Sequence, residues 1–275
     1  MSNSTQRLPR FKQPPVVETV LGVFFRPLAD FTSAHQGLLW ERFFRSRFPT
    51  LEEHPPVPEV TERFGEERFD SGKPRWHISQ RPDPLRLWAA SEHGQHVIQV
   101  QKNAIFANWR KTDGEVPYRP YAERRQEFSQ QLEQVDQFFR EEGMGRLEPT
   151  SWSVTYINHF ECGRLEEVGQ TAARTITVWT NEFSDNWLPR PDRVIMDLAF
   201  PMPDNAGRLN VNLKPVVKRE TKTPLLRLDL TARGRPKAKH LQSALDGIDL
   251  GHEWIVRGFA SLTRPEMHGV WERIQ

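Results

Sequence analysis

The chain has a single cysteine, Cys162, among its 275 residues. One thiol per chain excludes an internal disulfide framework and a thiolate metal cluster. We therefore interpret Cys162 as a small buried residue at the end of a strand. A lone thiol is typical of proteins from a reducing compartment, so the sequence predicts a cytoplasmic protein.

Long apolar stretches are also missing. No run approaches the roughly 18 residues that a membrane span needs. Residues 1–13 lack the apolar centre of a secretory signal and are predicted to form a flexible tail. We expect no membrane attachment.

An excess of charge of one sign is absent as well. The chain carries 38 basic and 36 acidic residues, a net charge of +2. Dedicated nucleic-acid binders usually show a stronger basic excess, so this class is disfavoured. The 17 Phe and 9 Trp residues can build a sizeable core, which argues against intrinsic disorder.

Local motifs of the common enzyme classes are absent from the sequence. There is no Gly-x-Ser-x-Gly, no phosphate-binding glycine loop, no His-Glu-x-x-His and no Cys-x-x-Cys. We expect no cofactor and no metal site.

Alternating strands in the last third of the chain are the clearest structural signal. In residues 208–214 and 225–231 every second residue is apolar, which predicts strands with one apolar and one polar face. A long amphipathic helix from about Ala238 follows and can cover the apolar face. Gly247 and Gly251 are expected to kink it.

The whole chain is predicted to be α+β, with two halves at residues 14–148 and 149–275. Each half is interpreted as β-α-β4-α, the order of the TATA-binding-protein-like and helix-grip folds, which suggests an internal repeat. Proline-rich residues 49–60 are interpreted as an extended connection. The predicted strands are 16–25, 76–80, 85–91, 96–101 and 104–110 in the first half, and 152–161, 175–180, 193–200, 208–216 and 225–232 in the second.

Polar rows on these strands are the best candidates for a site. If the apolar rows face the helices, amides, carboxylates, an arginine and two tryptophans share the opposite face, a suitable surface for a polar or planar ligand. The first half contributes Trp88, Gln99, Gln101 and Asn108. The second contributes His159, Trp179, Asp197, Asn210, Asn212, Arg227, Asp229 and Thr231. The alternative is a plain solvated sheet face.

We therefore predict a non-catalytic binding protein, which recognises a protein partner or a small polar ligand through this face or the cleft between the halves. A first alternative is a hydrolase- or lyase-type enzyme, in which His159 acts as a base with Asp197 or Asp229. A second is nucleic-acid binding through the basic stretches between Lys214 and Lys239. The sequence leaves the oligomeric state open.

Several linear motifs span nearly the whole chain: residues 15–22, 97–101 with Asn108-Trp109-Arg110, 154–159, 228–234, and 250–259 with Glu266-Met-His268 and Trp271. In these the chain resembles a sporadically distributed, uncharacterised family of bacterial proteins. The resemblance brings no activity and no catalytic residues. Its patchy distribution implies an accessory role, such as defence, toxin neutralisation or ligand sensing.

Overall fold

A single antiparallel sheet runs through the structure, a computed structural model that describes residues 7–28, 30–65, 84–112, 118–180, 182–183, 185, 187–189, 191–218 and 221–275. The strands are β1 (Val16–Phe25), β2 (Thr50–His54), β3 (Arg86–Ala90), β4 (His96–Gln101), β5 (Ala104–Arg110), β6 (Pro149–Glu161), β7 (Met196–Pro201), β8 (Gly207–Val217) and β9 (Pro224–Gly234). The helices are α1 (Ser33–Leu39), which continues as a π-helical turn (Trp40–Phe44), α2 (Tyr121–Glu141), α3 (Val168–Thr175), α4 (Leu241–Leu262) and α5 (Pro265–Val270). The prediction of an α+β protein is confirmed.

The nine strands lie in the order β2-β3-β4-β5-β1-β6-β9-β8-β7. β1, the first strand of the predicted N-terminal half, pairs along its length with β6, the first strand of the C-terminal half. Both halves therefore contribute to one continuous sheet, and their polar rows lie on the same surface.

The helices cover one face of this sheet, as the alternating pattern predicts. Leu226, Leu228 and Leu230 of β9 are at most 1% exposed. The α2 residues Phe128 and Leu132 are fully buried in the same core. The opposite side, which we call the open face, carries the polar rows.

The predicted kink in α4 is wrong, because the helix runs without interruption from Leu241 to Leu262. Gly247 and Gly251 instead lie against the indole of Trp152, which is 1% exposed. A Cβ at Gly251 would lie 2.8 Å from Cζ3 of that ring. The glycines let the helix approach the ring closely, at a cost in helix propensity of roughly 1 kcal/mol each.

The strands of the structure differ from the predicted strands at two places, residues 175–180 and β2, and a third prediction is not covered. Residues 175–180 are not a strand: α3 extends to Thr175, and Ile176 forms only an isolated bridge to Thr263. Within the described residues, the second half therefore has three strands after α3 and not four. Part of the proline-rich connection forms β2, which was not predicted. The predicted strand at 76–80 lies outside the described residues.

Residues 7–13, predicted to be flexible, lie against the C-terminus. Phe11 and Arg273 form an isolated antiparallel β-bridge, and the Ile274 amide donates to the Arg10 carbonyl at 2.8 Å. The Phe11 ring packs edge-on against Trp271 and Phe259. Phe11 therefore supplies the apolar contact between residues 7–13 and the C-terminal segment.

A polar cluster is buried between α2, α4 and the two central strands. Arg124 of α2 is 7% exposed and donates to Thr19 of β1 and, at 3.1 Å, to the Tyr156 hydroxyl of β6. Tyr156 lies 3.0 Å from Nδ1 of His252 in α4, and Tyr121 stacks on the same imidazole at 3.6 Å. Burial, followed by the charge of Arg124, lowers the pKa of His252 to about 3. A neutral imidazole therefore joins both long helices to the sheet centre.

Two further observations concern membrane spans and the single cysteine. No helix there is long and apolar enough to cross a membrane. Cys162 directly follows β6, is 2% exposed, and burial raises the pKa of its thiol.

Candidate ligand-binding site

The open face is not bare, because the chain after β2 crosses it. We call residues 55–64 the strap. Gln101 of β4 holds its first part: the side-chain oxygen accepts from the Val57 amide at 2.8 Å, and the side-chain nitrogen donates to the Val57 carbonyl at 2.9 Å. Gln101 is 1% exposed. An amide side chain thus pairs with strap backbone as a neighbouring strand would.

The far part of the strap is held by the second half of the sheet. Glu59 accepts from the Ser151 hydroxyl at 2.7 Å. Glu62 accepts from Arg208 and from Asn210, both at 2.9 Å, and Arg233 lies 3.6 Å away. The strap is therefore fixed to strands of both halves.

A cavity of about 340 Å³ lies between the strap and the open face, at the junction of the two halves. Apolar side chains from both sides form much of its wall, and Phe24 and Phe106 pack with Val57 as a small separate core. Its polar lining consists of hydroxyls, amides and two guanidinium groups. The lining includes Val20, Val57, Pro58, Val60, Arg86, Trp88, Gln99, Asn108, Ser153, Thr155, Thr231 and Arg233.

Two of the predicted site residues, Gln99 and Asn108, form a buried relay on the cavity wall. Asn108 donates to Glu18 at 2.6 Å and accepts from Gln99 at 2.6 Å, and Gln99 in turn accepts from Arg86 Nη1 at 2.7 Å. A carboxylate only accepts and a guanidinium only donates, so the two ends fix the orientation of both amides. The relay holds Arg86 in place without giving it a carboxylate partner.

Trp88 is half-buried at one end of the cavity, between cationic side chains. The guanidinium carbons of Arg86 and Arg110 lie 5.6 and 5.4 Å from its ring centroid. Arg110 donates to the Gly94 carbonyl at 2.9 Å. Burial lowers the pKa of Arg86, which is the effect expected of a cation with too little compensating negative charge.

The predicted polar residues of the second half divide into two groups. Thr231 lines the cavity and lies 3.0 Å from Thr155, and Asn210 anchors the strap. Asn212 and Asp229 are direct cross-strand neighbours farther along the sheet, beyond the cavity lining. There Arg227 donates to Asp229 at 2.7 Å, which leaves this part of the face internally paired.

His159 lies at the same end of the sheet, opposite Arg227. Burial and the Arg227 charge lower its pKa, while Asp229 raises it. Asp197 is on β7, three strand spacings from β6 and so about 14 Å away. Asp229 bonds to Arg227, so the described structure forms no His–Asp pair for general-base chemistry.

Trp179 does not belong to the open face. Its indole donates to the Gly169 carbonyl at 3.1 Å, and its ring packs against the helix-side core. The prediction assumed a strand at 175–180, and the extension of α3 places the residue in the helix layer instead.

The two basic stretches do not form one surface. Lys214 and Lys218 lie towards the β8–β9 turn, while Arg235, Lys237 and Lys239 follow the other end of β9. An eleven-residue strand separates them by roughly 30 Å. No group of three metal-ligating side chains occurs within the residues that the structure describes.

Sequence reasoning missed the strap, Arg86, Ser153, Thr155 and Arg233. The alternation of side chains along each strand could have found the four residues. Arg86 lies in the same row as Trp88, and Arg233 in the same row as Thr231, while Ser153 and Thr155 are the cross-strand partners of the latter pair on β6. The strap had no such signal, because its residues are recognised only by groups that are distant in sequence. A scan against known protein families finds no match, and a search of curated proteins finds no relative.

Proposed function

We propose that this chain is a non-catalytic binding protein that takes a small polar ligand in the cavity under the strap. The observation that carries the proposal is a cavity of about 340 Å³ that combines an apolar wall with a few fixed polar groups from both halves. This combination is typical of small-molecule sites. Binding of a protein partner to the remaining open face becomes the preferred alternative if no fragment occupies the cavity.

The arrangement of the polar groups supports binding over catalysis. The amides of the relay are oriented from both ends, and Ser151, the hydroxyl of the cavity wall that bonds to a carboxylate, anchors the strap through Glu59. Fixed donors and acceptors lower the ordering cost of a ligand, whereas a catalyst also needs a group that accepts or delivers a proton.

We also propose that the fold is an internal repeat of the TATA-binding-protein-like kind. In each half the first strand lies at the sheet centre and the last strand of the half pairs with it, as β5 does with β1 and β9 with β6. The remaining strands then follow outwards in reverse order. Membership in the sporadically distributed bacterial family, with an accessory role in the cytoplasm, is a proposal that rests on the motifs alone.

A fragment screen by ligand-observed NMR tests the proposed function. Neutral, anionic and cationic fragments are compared on the wild-type chain and on Thr231→Trp, which places an indole in the cavity. Thr221→Trp, in the exposed β8–β9 turn, is the matched control. We expect fragments that bind wild type and the control but not Thr231→Trp. If no fragment of any charge depends on Thr231, the cavity is not a ligand site.

A further inference from the structure

Among the described residues, one end of the cavity carries positive charge without a matching carboxylate. Arg86 and Arg110 both lie beside the ring of Trp88, and neither forms an ion pair with a described carboxylate. The nearest acidic side chains on adjoining strands have other partners: Glu18 bonds to Asn108, and Glu52 to His54. No carboxylate lines the cavity among the described residues.

The hydrogen bonds of Arg86 leave one edge of its guanidinium unused. Gln99 accepts from Nη1. Nε is buried and has no partner in the described part of the chain, and no described group accepts from Nη2. Nε and Nη2 form the edge that binds carboxylates and phosphates through two parallel hydrogen bonds.

The opposite end of the cavity differs from this end, because Arg233 there shares a carboxylate of the strap with the neighbouring Arg208. Glu62 bonds to Arg208 at 2.9 Å and lies 3.6 Å from Arg233. Within the described residues, the chain therefore supplies an anion at one end of the cavity and not at the other. Between the ends lies an apolar wall with Val20 and Phe106.

We propose that the ligand is a small organic oxyanion, whose carboxylate or phosphate binds the guanidinium of Arg86 beside Trp88 and whose apolar body lies along the cavity. This inference rests on the proposed function, because it names the ligand class of the same site. A desolvated guanidinium without a counter-charge disfavours a cationic ligand and gains most from an anion.

Charge-matched probes test the inference by isothermal titration calorimetry. The probes are 4-phenylbutyrate, 3-phenylpropyl phosphate, neutral 4-phenylbutanamide and cationic 4-phenylbutylamine. We expect at least one anion to bind at least about ten-fold more tightly than the amide, as a charge-assisted pair predicts. The carboxylate and phosphate arms then decide which oxyanion the site prefers.

Variants assign the preference to Arg86. In Arg86→Met the anion and the amide should bind within about two-fold of each other, whereas Arg86→Lys should keep part of the preference because it retains charge without the edge. Arg42→Met, which removes a surface ion pair with Glu141, is the matched control and should behave as wild type. If Arg86→Met does not fold, the wild-type preference and Arg86→Lys still decide.

The outcomes separate the two proposals. If none of the anions binds, if anion and amide bind equally to wild type, or if the preference survives in folded Arg86→Met, the oxyanion inference is wrong. In any of these cases fragments lost in Thr231→Trp would still support the proposed function. If no fragment binds in a way that depends on Thr231, both the proposed function and the oxyanion inference are wrong.

Discussion

Acidification is expected to destabilise the fold through His252, which joins α2 and α4 to the sheet. Arg124 can only donate, so the Tyr156 oxygen accepts from it and the Tyr156 proton points to Nδ1 of His252. Nδ1 must then be unprotonated. A proton there would lie against a hydroxyl proton and near a buried guanidinium.

The sign and size follow from the pKa difference. Burial lowers the pKa of His252 to about 3 in the folded chain, against about 6.5 in the unfolded chain. Below pH 6.5 the unfolded state binds a proton that the folded state does not, so this contribution is complete above pH 6.5 and is lost as the pH falls towards 3. At pH 4.5 the loss is about 2–3 kcal/mol, from roughly 1.4 kcal/mol per pH unit.

Urea unfolding at pH 7.5 and at pH 4.5 measures this contribution. His252→Asn keeps an acceptor near the position of Nδ1 and cannot titrate, so the variant should lose about 2–3 kcal/mol less than wild type between the two pH values. His93→Asn, an exposed histidine of the β3–β4 turn, is the matched control for loss of a histidine. If wild type and His252→Asn lose the same stability, His252 is not held neutral and the reasoning fails.

Two further predictions concern the strap and α4. In urea unfolding, Glu62→Gln should destabilise the fold by about 3 kcal/mol, because the Arg208 side chain is only 5% exposed and would lose its carboxylate partner. The control Glu41→Gln, which removes an exposed ion pair with Arg45, should cost under about 1 kcal/mol. Equal costs for the two variants would show that the strap contact is not important for stability. Gly247→Ala should lower stability by about 1–3 kcal/mol despite the better helix propensity of alanine, because its Cβ would overlap the Trp152 ring. Thermal unfolding measures this loss against Gly269→Ala, whose added Cβ would have nothing within 4 Å and should leave the stability nearly unchanged. An unchanged stability of Gly247→Ala would mean that α4 can shift away from the ring.

The sheet could be predicted because its signal is local. Strands such as β1 and β4 have the predicted bounds, since β-branched and aromatic residues favour a strand and proline or turn residues mark its ends. Residues 175–180 satisfied the same composition rules, yet α3 continues through Thr175 because Val168 and Ala172 bury against the core. Local propensity gave way there to tertiary packing.

The candidate site could be predicted only in part, for a related reason. Gln99 and Asn108 were identified because they sit in polar rows, and rows follow from spacing. The strap depends on contacts such as Glu62 with Arg208, which are 146 residues apart in the chain. No periodic pattern in the sequence predicts a segment that is held by side chains of distant strands.

The distribution of carboxylates over the open face distinguishes its structural part from its binding part. In the second half, Glu59 and Glu62 of the strap satisfy the hydroxyls, the amide and the buried arginine beneath them. In the first half the strap offers backbone groups to Gln101, and the guanidinium groups beside Trp88 form no ion pair with a carboxylate that the structure describes. Among the described residues that line the cavity, only Arg86 has a buried side-chain donor without a partner, Nε, which costs free energy. The unmatched end is therefore where the proposed oxyanion would gain most, and the matched end is where the strap is held to the sheet.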